Sequence, residues 1–128
     1  MANKCYCDSG LFFDQCCEPY LNYSQQPPSP VALMRSRYSA FATGNAEYLI
    51  STWDEAFRPK TLSLEPEQKW IGLKVLSHGE DINGTSGWVH FIARYKIAGK
   101  AQRLEERSLF SVHNKRWYYQ QPDTHQDI

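Results

Sequence analysis

The sequence predicts an α+β fold in which helices come first and antiparallel strands follow, with a small cysteine-rich module ahead of both. Three observations predict it. Residues 30–53 carry apolar side chains at helical spacing between cap residues. Residues 71–120 alternate apolar and polar side chains between turn signals. All four cysteines, Cys5, Cys7, Cys16 and Cys17, fall in one C-x-C-x8-C-C run at the start of a 128-residue chain.

In order, residues 1–20 form the cysteine module, residues 21–28 a linker holding Gln25-Gln26-Pro27-Pro28, and residues 29–128 the main domain. Ser29 stands as an N-cap and Pro30 at the first helical position. Leu33, Met34, Arg37, Tyr38 and Phe41 then recur at helical spacing, and Gly44 closes the helix. Asn45 caps a second helix, expected to run through Trp53. Pro66 to Trp70 is expected to form a short third helical turn. Strands follow over 71–77, 88–95, 104–112 and 116–120, joined by the turn signals Asn83-Gly84, Gly99-Lys100 and His113-Asn114-Lys115. Residues 122–128 read as a frayed tail. The helix face of Leu33, Tyr38 and Phe41 should meet a strand face carrying Phe91, Ala93, Phe110 and Trp117 or Tyr118.

Composition narrows the function classes. Lys plus Arg equals Asp plus Glu, 14 against 14, so no global basic field favours nucleic acid. The run Lys115-Arg116-Trp117-Tyr118-Tyr119 interleaves cations with aromatics, which a solvated hairpin end explains equally well. No apolar stretch approaches the roughly 18 residues of a membrane span. Met1 to Cys5 offers no apolar signal core. With the clustered thiols, these features point to the cytoplasm.

The cysteine run is the strongest chemical signal. Four thiolates are the number that a tetrahedral structural zinc needs, and Ser9-Gly10 lets the intervening loop turn back. Two other readings compete. Disulfides would suit a secreted chain, but adjacent Cys16 and Cys17 cannot easily bridge each other. Redox thiols usually stand as C-x-x-C, which is not the spacing here. Zinc is the favoured reading.

Cys5-Tyr6-Cys7-Asp8-Ser9-Gly10, then Phe13 and Cys16-Cys17, resembles the SEC-C motif, a zinc-binding module named for the C-terminus of the SecA translocation ATPase. The resemblance implies Cys5, Cys7, Cys16 and Cys17 as ligands. Tyr6 and Asp8 depart from the usual C-P-C-G-S-G, and the basic residues common between the cysteine pairs are missing. Further along, Pro30 to Phe41, Tyr48 to Trp53, Trp70 to Leu73, Phe91 to Tyr95, Glu105 to Ser108 and Arg116 to Tyr119 resemble blocks of the bacterial YchJ family, in family order. That likeness implies a SEC-C motif joined to a cone-shaped domain similar to nuclear transport factor 2. It implies no established activity.

Candidate pocket residues are Arg35, Arg37, Tyr38, Trp53, His90, Glu106, Ser108 and Trp117. Arg35 and Arg37 suit anion recognition by their planar guanidinium forks. Glu106 and Ser108 share a strand face with Leu104 and Phe110, so the carboxylate needs a partner, expected from Arg35, Arg37 or Arg94. His90 lies on the face of Trp88 and Ile92 and would need a carboxylate neighbour to act as a base. His78 and His113 fall in expected turns, and His125 in the tail; none receives a role. No catalytic residue is assigned. Two functions stand: a zinc-binding adaptor or ligand-binding protein, with a protein partner at the zinc motif, a homodimer surface or a small-molecule pocket; and an isomerase- or dehydratase-like enzyme using the conical cavity.

Overall fold

The computed structural model describes residues 3–123. A short 3-10 turn, Phe13–Gln15, leads into α1 (Glu18–Leu21), then α2 (Pro30–Thr43) and α3 (Ala46–Ser51). Four strands complete the fold: β1 (Gln68–Glu80), β2 (Ser86–Ile97), β3 (Lys100–His113) and β4 (Arg116–Pro122). They form one antiparallel meander in sequence order. Among the described residues, no helix is long and apolar enough to cross a membrane.

The local rules place the helices. Ser29 Oγ accepts from the Ala32 N–H and Gly44 takes the left-handed conformation, so both ends of α2 stand where the caps put them. Asn45 likewise caps α3 by accepting from the Tyr48 N–H. That helix ends at Ser51, short of Trp53, because Thr52 and Asp54 pair instead with β4: Tyr119 N–H donates to Thr52 O at 2.8 Å, and Asp54 N–H to Tyr119 O at 2.7 Å. The helical turn expected at Pro66–Trp70 does not form. Residues 66–67 turn, and β1 starts at Gln68, with Trp70 opposite Tyr95 on β2.

Hairpin turns set the sheet register. Ala98-Gly99 and Asn114-Lys115 each hold two successive positive φ angles, which matches two-residue loops that follow the strand twist. Irregularities at Trp70/Gly72 and Val75/Ser77 in β1, and at Gln120 in β4 opposite Leu109/Phe110, interrupt the pairing and bend the strands.

The core is shared. Leu33, Met34 and Tyr38 of α2 pack with Leu73, Val89, Phe91, Ala93 and Phe110 of the sheet. Trp117 and Tyr119 pack against this cluster too. Cys5, Cys7 and Cys17 belong to the same cluster, so the cysteine module is docked on the main-domain core. α2 is accordingly buried well round its girth: Ser36 and Ser39 are as enclosed as Leu33, and Arg37 is buried too.

Candidate functional site

The first site is the four-cysteine cluster. Cys5 N–H donates to Leu11 O, and Phe13 N–H to Asn3 O, which folds the loop back on the first pair. The second pair then follows the 3-10 turn and opens α1. The four Sγ atoms lie within 4.8 Å of one another. Cys7 and Cys16 are 3.6 Å apart, and Cys16 and Cys17 3.9 Å. Sulfurs about 2.3 Å from a central tetrahedral ion sit about 3.8 Å from each other, so the donor set fits a metal ion. All four cysteines are free thiols. Without a cation they cannot all ionise. Burial pushes the Cys16 thiol up to about 11. Cys17 is also pushed up, by its contacts with Cys5 and Cys7 and by burial. A divalent cation removes that conflict.

Around the thiols lies a polar shell. Ser9 Oγ is 3.1 Å from Cys16 Sγ, and Ser39 Oγ of α2 is 3.6 Å from Cys5 Sγ. Arg35 donates from Nη1 to Cys7 O at 2.7 Å. Asp8 takes a positive φ of 61°, the conformation in which glycine is favoured, and its Oδ2 accepts the Leu73 N–H at 3.1 Å, just past the first irregularity of β1. A Cβ on Gly72 would stand 3.3 Å from that oxygen. The Tyr38 hydroxyl is buried close by; burial, opposed by the Gly72 backbone and reinforced by Asp8 and Cys7, pushes it up to about 12.

The second site is a cavity of about 150 Å³ between α2 and the sheet. Phe41, Trp53, Trp70, Phe91, Phe110 and Tyr119 supply most of its wall, with Arg37, Glu106 and Ser108 as polar members. Arg37 is 5% exposed. Its Nη1 donates to Leu49 O at 2.7 Å, near the C-terminus of α3, and to Thr52 Oγ1 at 2.8 Å. Its guanidinium stacks 4.5 Å from the Tyr119 ring centroid and 5.1 Å from that of Trp53. Glu106 Oε2 accepts from Ser108 Oγ and from the Tyr119 hydroxyl, the latter at 3.3 Å. Burial, then the charge of Glu106, pushes the Tyr119 hydroxyl up.

Of the sequence candidates, Arg37, Tyr38, Trp53, Glu106 and Ser108 line this cavity. Arg35, His90 and Trp117 do not. Arg35 turns to the cysteine module. His90 pairs with Glu105 at 2.7 Å among partly exposed side chains. Trp117 packs against the core and lines a smaller cleft beside Tyr20 and Tyr48. The ion pair expected for Glu106 is absent among the described residues: Arg37 approaches it only through space, and Arg35 and Arg94 make no such contact. Both of Arg37's hydrogen bonds go to the α3 end, which holds it off the carboxylate.

A third cluster escaped the sequence reading. Asp54 is buried and accepts from Ser111 Oγ at 2.7 Å and the Ala56 N–H at 3.0 Å, with His113 Nε2 at 2.9 Å. Burial pushes its carboxyl up, but these bonds outweigh it and hold it at about 2. The partners lie 57 and 59 residues away, so no local pattern links them. Ser111 Oγ is also 3.3 Å from His113 Nε2, but that same nitrogen faces Asp54 and the serine proton goes to the carboxylate, so the three do not form the relay in which one imidazole nitrogen meets the serine and the other the acid.

Comparison with known proteins agrees with this architecture. The family described as YchJ, middle NTF2-like domain, matches residues 29–122. A UPF0225 protein of Polaromonas naphthalenivorans is 48% identical over 109 residues, 85% of this chain and 79% of the relative. One from Serratia proteamaculans is 38% identical, over 93% of this chain and 82% of its own. The solution structure of a SEC-C motif containing protein from Rhodopseudomonas palustris superposes with a TM-score of 0.83 at 35% identity, covering 93% of this chain and 96% of that one. A crystal structure of a SEC-C motif containing protein from Psychrobacter arcticus gives 0.76 at 28% identity, covering 94% and 77%. A SEC-C cysteine cluster able to hold a metal ion, joined to an NTF2-like domain, makes this chain a member of the YchJ (UPF0225) family.

Proposed function

We propose that the chain is a zinc-stabilised ligand-binding protein of the cytoplasm. The observation that carries the reading is the division between its two sites. Four thiols close on one another, and among the described residues no His, Asp or Glu joins the group, the donor set of structural zinc centres. They pack into the same core that walls the cavity, so the metal braces the cavity. The cavity is aromatic with a few polar groups, the usual make-up of a small-molecule site. Elemental analysis of the native protein should find one zinc per chain, bound through Cys5, Cys7, Cys16 and Cys17. Iron, or no metal at all with the module still folded, would refute the zinc part. A fragment screen by tryptophan fluorescence should find ligands that perturb Trp53 or Trp70; an empty screen would refute the pocket.

A protein partner at the module is a second role, favoured by one observation. Tyr6, Leu11 and Phe12 are 49%, 54% and 41% exposed around the module's turn, an apolar group that the described residues leave open apart from Lys4 over Phe12 and Phe13 against Tyr6. The triple change to serine should abolish capture of a partner and keep the melting temperature. Among the described residues no histidine lines the cavity, so an enzyme reading there draws on Glu106. Turnover lost in Glu106→Gln would establish it.

A further inference from the structure

Arg37 and Glu106 share an unusual state. Each is a polar group on the wall of one aromatic cavity, and each makes its side-chain hydrogen bonds among the described residues through a single atom. Arg37 uses Nη1 for both Leu49 O and Thr52 Oγ1. Its Nη2 and Nε have no acceptor among the described residues. Glu106 uses Oε2 for both Ser108 and Tyr119, and its Oε1 has no donor among the described residues. No ion pair joins them. Burial pushes the Arg37 guanidinium down to about 10, so it remains a cation at neutral pH. Arg37 is buried and Glu106 half-buried; a buried charge left partly unpaired is costly, and a ligand that completes it removes that cost.

We propose that the cavity binds a small planar carboxylate that also carries one hydrogen-bond donor. This rests on the ligand-binding reading above and adds the ligand's chemistry. The carboxylate takes the vacant guanidinium donors of Arg37, a fork that suits two oxygens in one plane. The donor, a hydroxyl or an amine, reaches Glu106 Oε1. The ring lies among Phe41, Trp53 and Trp70. The size agrees, since a cavity of about 150 Å³ accommodates one benzene ring. Exposure orients the space: Arg37, Ser108 and Phe110 are at most 5% exposed and form the floor, while Leu104, at 37%, forms the rim. A ring substituent can therefore project past the rim.

The test uses the full chain and three probes: 4-hydroxybenzoate, benzoate and phenol, read by the NMR shifts of the Trp53 and Trp70 indoles. 4-Hydroxybenzoate should bind most tightly, and phenol most weakly. Arg37→Lys should weaken both carboxylates about tenfold, because lysine keeps the charge and loses the fork. Glu106→Gln should weaken 4-hydroxybenzoate and leave benzoate unchanged or tighter. The wild-type order of the three probes stands as a test even where Arg37→Lys fails to fold. Phenol binding as well as the carboxylates would overturn the proposal and leave the ligand-binding reading intact. No indole shift with any probe at about 10 mM would overturn both.

Discussion

At the residue scale, two side chains decide more than their positions in the sequence suggest. Asp8 stands at a left-handed φ and yet is not glycine, and its carboxylate explains why: it binds the Leu73 amide across the module–sheet contact. Asp8→Ala keeps the strained backbone and loses the bond, so it should destabilise the fold by about 1–3 kcal/mol in denaturant melts. Asp8→Gly relieves the strain and should cost less than Asp8→Ala. Asp54 gives a pH signature. Its carboxyl is depressed from 3.8 to about 2 in the fold, so its contribution is fully present above about 3.8 and is lost as pH falls through about 2. That contribution is about 2 kcal/mol, and Asp54→Asn should flatten the acid limb of stability against pH. Glu106→Gln is milder than an ion-pair break, because Ser108 and Tyr119 can still donate to an amide oxygen. We expect a loss of about 1 kcal/mol in melting experiments.

At the element scale, local chemistry was legible and distant pairing was not. Ser29, Gly44 and Asn45 mark helix ends in the sequence, and the helices begin or end there. The alternation over 88–95 put Val89, Phe91 and Ala93 on one face, and all three are buried. Arg35 was misplaced because helical periodicity cannot say which of two neighbours a face will meet; it meets the Cys7 carbonyl. Tyr119 is a cavity residue that the sequence alone does not mark: the turn expected over His113-Asn114-Lys115 closes as a two-residue loop, Asn114-Lys115, and that register sets Tyr119 opposite Phe110. The four-cysteine cluster was the most legible part, since all four residues are close in sequence. Gly87 is a feature only the structure explains: a Cβ there would lie 2.6 Å from Pro30 Cγ and 2.9 Å from Gly79 O. Gly87→Ala should therefore push the start of α2 off β2 and cost about 1–3 kcal/mol.

At the scale of the whole molecule, the docked module changes what metal removal means. A proline-containing linker by itself would leave two separable cores, with chelation unfolding only the first 20 residues. The thiols instead share a core with Leu33, Leu73 and Phe91. Stripping the metal should lower the melting temperature of the whole chain, and amide exchange should quicken at Leu73 as well as within the module. A module that melts alone, with Leu73 still protected, would contradict the shared core.

That docking also bears on synthesis. A ribosome delivers the cysteines first and β1 some 65 residues later, as the spacing of Asp8 from Leu73 shows. The surface that shelters the thiols does not yet exist when they emerge. An ion captured by the nascent loop would shield its sulfurs from oxidation during that interval and deliver a finished knuckle to the sheet.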